Sequence, residues 1–380
     1  MIIKSVSKEK LKEYNGNLCA YVEAGNSLYD VFYLDLGTTV VRLLCYSKEF
    51  IPHLQKQMTY TLRENAQNFD TTIVLWKEND IKQLYKVIAP EFNPRDNLKL
   101  RIEMLQHNKM YEDLFVYDNN YSVNKPVLSV NLKKNIVSSY DAETNTYYYG
   151  VENLEPEEFI KKGHLFVQIL NEILKTKNTT LVHGACIGLD NEGILLCARG
   201  QRGKSTLAVL AMMEGFEYVS DDYLTLEKDG KDLYAHPIYS IITLSPRMYN
   251  ELYDRLDGCR FISNNAKKDK YVINISKFHP QFKKRYPVKM CMFPEIVSDI
   301  EPSIQECSVQ EKGRAITHIV HSTIFQMHDK HDMETIKKIM NMVKDFKFYK
   351  INLCNDIYKN VECLRKFCNS YSKNNTVSIR

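Results

Sequence analysis

The stretch 193–215, GILLCARGQRGKSTLAVLAMMEG, constrains the fold more than any other part of the chain. Gly193–Ala198 is a short apolar run without charge, which predicts a strand buried on both faces. Gly203–Glu214 predicts a helix, and Gly215 stands where a helix ends on a left-handed residue. Phe216–Ser220 supplies the next strand. Strand, turn, helix, strand implies a βαβ-type unit and an α/β core.

The turn has its own chemistry. Gly203-Lys204-Ser205-Thr206 opens a helix directly after a buried strand. Backbone N–H groups at such a helix start point at an anion, and glycine lets the backbone approach it closely. Lys204 would reach the β- and γ-phosphates of a nucleotide, and the Ser205 hydroxyl would ligate Mg2+. The expected phosphate-binding residues are Gly200, Gln201, Arg202, Gly203, Lys204, Ser205 and Thr206. The full pattern G-x-x-x-x-G-K-[ST] is incomplete, because Ala198 occupies the first glycine position. Arg199 and Arg202 add positive charge to the loop.

Asp221 and Asp222 follow the strand after this helix, at the sheet edge where ligands of open α/β sheets collect. Alternation along a strand would send the two carboxylates to opposite faces and give them different tasks. One would hold Mg2+, and the other would accept the proton of an attacking hydroxyl. His183, in the segment V-H-G-A, is a third candidate, with Gly184 beside it hinting at a close backbone approach. His318, His321, His328 and His331 lack a carboxylate or cysteine to complete a ligand set, so no metal centre is expected from them.

Residues 1–152 show no catalytic motif and read as an α+β region for an acceptor or partner. Thr38–Cys45 and Thr71–Trp76 predict strands, Gln55–Arg63 a short helix, and Tyr111–Tyr121 and Ser138–Tyr149 exposed hairpins. From Pro156 the apolar residues recur at helical spacing: Phe159, Ile160, Phe166, Ile169, Leu170, Ile173 and Leu174. Residues 153–372 therefore read as the nucleotide-binding domain and 373–380 as a loose polar tail. Within the domain, Thr180–Leu189 and Pro287–Pro294 predict strands and Asp229-Gly230 a hairpin turn. Glu334–Val343, Phe346–Leu353 and Val361–Asn369 predict helix, strand and helix. With 51 basic residues against 47 acidic, neither nucleic acid nor a membrane surface is an expected partner. No apolar run reaches the length of a membrane span or an export signal. The 10 cysteines form no C-x-x-C pair and read as reduced small hydrophobes, so a cytoplasmic setting is expected.

The composite VHGACIGLDNEGILLCARGQRGKSTLAVLAMMEGFEYVSDD resembles the nucleotide-binding core of HPr kinase/phosphorylase and its relatives, which share a P-loop fold with phosphoenolpyruvate carboxykinases. An H-G pair, a hairpin, a phosphate loop, a helix and a D-D pair follow one another at the family's spacing. YPVKMCMFP and FKFYKINLCNDIYKNVECLRKF resemble the closing elements of shorter HPr-kinase-like proteins. The resemblance runs from about 155 to 370 and reaches the N-terminal region only loosely. It implies an α/β P-loop core with a mixed sheet, plus an N-terminal α+β region, using ATP and Mg2+. Carried over, Lys204 and Ser205 bind phosphate and Mg2+, and Asp221 is the general base. Asp222 is then a metal-site carboxylate, and His183 lies beside the reacting phosphate. Gln201 departs from the family's usual glycine. The E-x-R-G-x-G and P-G-R-N-x-A stretches of the bifunctional enzymes are missing, which removes the ground for phosphorolysis and for HPr itself as substrate. Arg247 in HPIYSIITLSPR and Arg314 in EKGRAI are candidate phosphate-binding cations. The expectation is a kinase for a serine-type hydroxyl on a small molecule or peptide. A nucleotide-binding regulatory protein and a carboxykinase-like lyase are the alternatives, and assembly into a homo-oligomer stays open.

Overall fold

A computed structural model describes residues 2–25, 28–79, 84, 113–118, 128–131, 136–152, 164–174, 178–198, 200, 202–256, 260–265, 270–297, 301–327 and 333–377. The chain divides into two units. One comprises Met1–Leu34, Val40–Gln55 and Leu62–Phe159; the other comprises Asp35–Thr39, Lys56–Thr61 and Ile160–Arg380.

The first unit begins β1 (Ile2–Val6), α1 (Lys8–Gly25), β2 (Asp30–Asp35), β3 (Val40–Cys45), α2 (Ile51–Gln57), β4 (Leu62–Arg63) and β5 (Thr71–Lys77). It continues through β6 (Asp113–Asp118), β7 (Leu128–Asn131), β8 (Ile136–Asp141) and β9 (Thr146–Val151). Among the described residues the nine strands form one sheet in the order β1-β6-β7-β8-β9-β5-β3-β2-β4. Helix α1 buries Leu11, Tyr14, Leu18 and Val22, spaced as one helical face, in a cluster with Val74, Trp76, Val137 and Tyr148. Gly150 pairs with Trp76 across β5 and β9, and a Cβ there would come within 2.2 Å of the indole. The hairpin expected at 138–149 forms as β8–β9, but Tyr147 and Tyr148 are buried rather than exposed. The expected helix at 55–63 lies earlier, at Ile51–Gln57, and Leu62–Arg63 is strand.

In the second unit come α3 (Val167–Leu174), β10 (Thr179–His183), β11 (Ala185–Leu189), β12 (Glu192–Leu196), α4 (Lys204–Met213), β13 (Glu217–Ser220), β14 (Tyr223–Asp229) and β15 (Asp232–Pro237). After them stand β16 (Ile241–Leu244), α5 (Pro246–Glu251), β17 (Arg260–Asn265), β18 (Lys270–Asn274), β19 (Tyr286–Ile296) and β20 (Ser303–Glu306). The unit closes with α6 (Val309–Met327), α7 (Met333–Val343), β21 (Lys347–Leu353) and α8 (Ile357–Val377). The main sheet runs β10-β14-β15-β19-β12-β11-β13, with β21 joining β19 and β20. Strand β19 is parallel to both β12 and β21. A small sheet β16-β18-β17 is not hydrogen-bonded to it, but packs Ile242, Leu244 and Ile273 into the same apolar cluster as Ile194 and Leu196.

Strand alternation explains why GILLCA carries no charge. Ile194, Leu196, Met290, Met292, Ile351 and Leu353 face the cluster that holds α4 and α8. Their neighbours Leu195, Cys197, Cys291 and Phe348 face the opposite cluster, with Ala315 and Ile319 of α6 and Ile339 and Val343 of α7. Helices therefore cover both faces of the central strands, and each buried Leu or Ile contributes about 1.5–3 kcal/mol. The β12–α4–β13 unit is a split crossover, because β11, antiparallel to both strands, lies between them.

Several local expectations change in detail. The stretch 180–189 forms two strands rather than one, divided at Gly184, and they pair with different neighbours. The Asp229-Gly230 turn closes β14 on β15, with Gly230 at φ 60°. Helix α8 continues through 373–377, where polar composition predicted a loose tail. Pro156, Phe159 and Ile160 lie outside the described residues. No helix among the described residues is long and apolar enough to cross a membrane.

Candidate functional site

Helix α4 starts from Gly203, whose φ of 89° lies in the left-handed region. A Cβ at this position would stand 2.6 Å from Leu353 Cδ1, so the turn needs glycine for conformation and for space. Ser205 and Thr206 are half-buried on the first helical turn, and Gly200 is exposed. Arg202 is exposed and lies 3.8 Å from Glu295. Gln201 and Arg199 lie outside the described residues. Lys204 is turned inward, with its side chain 8% exposed.

Lys204 meets the acid pair. Its Nζ lies 2.7 Å from Asp221 Oδ1 and 3.1 Å from Asp222 Oδ1. The two carboxylates thus converge, against the expectation that they point to opposite faces. Strand β13 ends at Ser220, and Asp222 takes a left-handed φ of 63°, so strand alternation no longer applies. Asp tolerates that conformation better than most residues, yet it costs on the order of 1–3 kcal/mol and recurs at functional sites. Neighbouring backbone secures the turn. The Gly184 N–H donates to the Asp222 carbonyl at 3.0 Å, and the Tyr223 N–H donates to that of Asp221 at 2.8 Å. Ser220 Oγ donates to the Tyr223 carbonyl at 2.8 Å.

His183 enters from the neighbouring strand, where it pairs with Tyr223. Its Nε2 is 3.6 Å from Asp222 Oδ1, and its backbone N–H donates to Thr323 Oγ1 at 2.9 Å. Sequence reasoning missed a second imidazole. His164 Nε2 lies 3.9 Å from Asp222 Oδ2, and its ring is edge-on to Tyr223 and Tyr239 at 4.6 and 4.7 Å. No local motif marks His164; it comes from just before α3 and meets the site only through the tertiary fold.

Burial works against both charges, and the partners outweigh it. Burial alone would lower the Lys204 pKa, but the Asp221 and Asp222 carboxylates hold it above the usual lysine range. For Asp222, burial favours the neutral acid, yet the Lys204 charge, the His183 hydrogen bond and His164 hold the carboxyl well below the usual range. Burial, reinforced by Asp222, pushes the Tyr223 phenol up. Asp221 is 1% exposed, and its Oδ2 has no hydrogen-bond partner among the described residues.

The other candidates lie elsewhere. Arg247, on α5, is 74% exposed and faces Glu251 at 4.0 Å; Arg314 is exposed on α6. His318 and His321 also sit on α6, while His328 and His331 lie outside the described residues. Among the described residues no group of three or more His, Cys, Asp or Glu is placed to hold a metal ion by itself. That does not bear on Mg2+, which commonly takes one or two carboxylates and completes its shell with water and substrate phosphates.

No family model matches the chain, and no curated protein matches it. Among solved structures it has a weak likeness to the Hpr(Ser) kinase/phosphatase from Coxiella burnetii, with a TM-score of 0.30 and 11% identity over 51% of this chain and 99% of that one.

Proposed function

We propose that the chain is an ATP-dependent phosphotransferase with an HPr-kinase-like P-loop core, transferring the γ-phosphoryl group to a serine-type hydroxyl of a small molecule or peptide. The observation that carries this reading is the buried meeting of Lys204 with Asp221 and Asp222, at the start of a helix that follows a buried strand. Phosphoryl transfer asks a protein chiefly for positioning and charge neutralisation, and these groups supply both.

The chemistry follows from the contacts. The N–H groups of the first turn of α4 receive the phosphates, and Lys204 swings from the acid pair to the β- and γ-phosphate oxygens. Its departure uncovers Asp221, whose open Oδ2 accepts the proton of the acceptor hydroxyl. The acceptor oxygen bonds to the γ-phosphorus as the bond to the bridging oxygen breaks, and ADP leaves with that electron pair. Asp221 then returns its proton to solvent. The donor types suit Mg2+: Asp222 and Ser205 supply hard oxygens, Ser205 next to Lys204 in the chain and Asp222 3.1 Å from its Nζ. When bound, Mg2+ would neutralise phosphate charge. The N-terminal unit, which has no catalytic motif, is assigned to holding the acceptor.

Phosphorus NMR of the protein with ATP, Mg2+ and a panel of serine and serine-ending peptides tests the reading. Wild type should form ADP and a phosphomonoester, and Asp221→Asn should slow this about 10²–10⁴-fold. If both proteins bind ATP and leave it equally intact, a regulatory nucleotide-binding role replaces catalysis.

A further inference from the structure

We propose that His164 is a positioning residue that holds the outer carboxylate oxygen of Asp222 in register for the metal–nucleotide complex. This inference rests on the phosphotransferase reading above. Asp222 Oδ1 faces Lys204 at 3.1 Å and His183 at 3.6 Å, whereas Oδ2 faces His164 at 3.9 Å. Once Lys204 moves to phosphate, the carboxylate loses its short contact. What then remains beside it is the pair of imidazoles, one at each oxygen at 3.6 and 3.9 Å, near enough to close to hydrogen-bond distance as the ammonium leaves.

His164 is built for a fixed direction. Its backbone takes φ 84°, two residues before Phe166 at φ 61°, so two non-glycine residues hold left-handed conformations in one turn. Such a turn persists only where its surroundings over-determine it. Leu165, between them, is held on both sides: its N–H donates to Gln57 Oε1 at 3.4 Å, and its carbonyl accepts from Tyr239 Oη at 2.5 Å. Leu165 and Phe166 are each 3% exposed. Tyr239, anchored by that bond, also sets its ring edge against the imidazole, and Tyr223 does so from β14. The Tyr223 backbone belongs to the Asp221–Asp222 turn itself. One aromatic enclosure therefore ties the His164 ring to the acid it faces. Groups that orient a metal-binding carboxylate in this way commonly change metal affinity by 10–100-fold when removed.

The test uses Mn2+ as a spectroscopic substitute for Mg2+. Mn2+ binding in the presence of ADP is measured by electron paramagnetic resonance, and ADP binding in EDTA by calorimetry, for wild type, His164→Ala and His164→Gln. The expected result is an approximately tenfold loss of Mn2+ affinity in His164→Ala. His164→Gln should stay near wild type, because its amide N–H reaches the place of Nε2, and metal-free ADP binding should be unchanged in both. Equal Mn2+ affinity in wild type and His164→Ala overturns the proposal. So does a parallel loss of metal-free ADP binding, which marks a merely structural role, or a His164→Gln variant as weak as His164→Ala. If wild type itself binds neither ADP nor Mn2+ with ADP, the phosphotransferase reading fails and takes this inference with it.

Discussion

Lys204 Nζ and Asp221 Oδ1 form a 2.7 Å ion pair in which the Asp221 side chain has no exposed surface. Asp222 shares the same ammonium at 3.1 Å, so two carboxylates depend on one cation. Taking the cation away strands both acids in a poorly solvated place. Lys204→Met should therefore destabilise the protein by about 3–5 kcal/mol in urea unfolding. The double variant Lys204→Met/Asp221→Asn should recover part of that loss. Equal losses in the single and double variants would show that the pair is not energetically coupled.

Acid should weaken the fold through Asp222. Its folded pKa is depressed, with burial opposing and the Lys204 charge prevailing. The unfolded chain therefore takes up a proton at higher pH than the folded one. Stability from this group is fully present above the unfolded value of about 3.9 and is lost as pH falls through that value towards the folded one. Unfolding free energies measured from about pH 6 downwards should fall below about pH 4, and Asp222→Asn should flatten that fall. An unchanged slope in the variant would remove Asp222 from the account.

Gly203 combines a φ of 89° with the 2.6 Å approach of Leu353 Cδ1 to any added Cβ. Gly203→Ala should cost about 1–2 kcal/mol for the left-handed backbone, and more from the contact. Adding Leu353→Ala should relieve only the contact part. Thermal unfolding of the three proteins separates these contributions, and a Gly203→Ala variant as stable as wild type would contradict the strain argument.

The buried thiols should be inert. Burial pushes Cys45, Cys197 and Cys368 each up to about 12, with Lys204 lowering Cys197 only in part. Alkylation of the native protein near pH 8 should spare these three and modify the partly exposed Cys354. Reaction of Cys197 as fast as Cys354 would show that the strand bearing it opens readily.

What the sequence revealed about the fold, and what it hid, follows from the range of the signals. GILLCA and its helix were readable because burial on both faces leaves an uncharged run, and Gly203 and Gly215 punctuate the helix. Gly184 hid the division of β10 from β11, because both halves are apolar and only their pairing partners differ. Alternation failed for Asp221 and Asp222 because it assumes extended backbone, and φ at Asp222 is 63°. His164 was invisible because its partner Asp222 is remote in sequence and no motif links them. In the first unit, α1 has its apolar residues on one face, but many polar residues surround them, which weakens the periodic signal.

The most direct measurement is calorimetric titration of ATP into the protein with and without Mg2+, repeated on Lys204→Gln/Asp221→Asn. That double variant replaces the buried ion pair by neutral groups able to hydrogen-bond and so limits the loss of stability. The account predicts magnesium-dependent binding to wild type and an affinity about tenfold to a hundredfold weaker in the variant. Absence of magnesium-dependent binding to wild type, or equal affinity in both proteins, would contradict it.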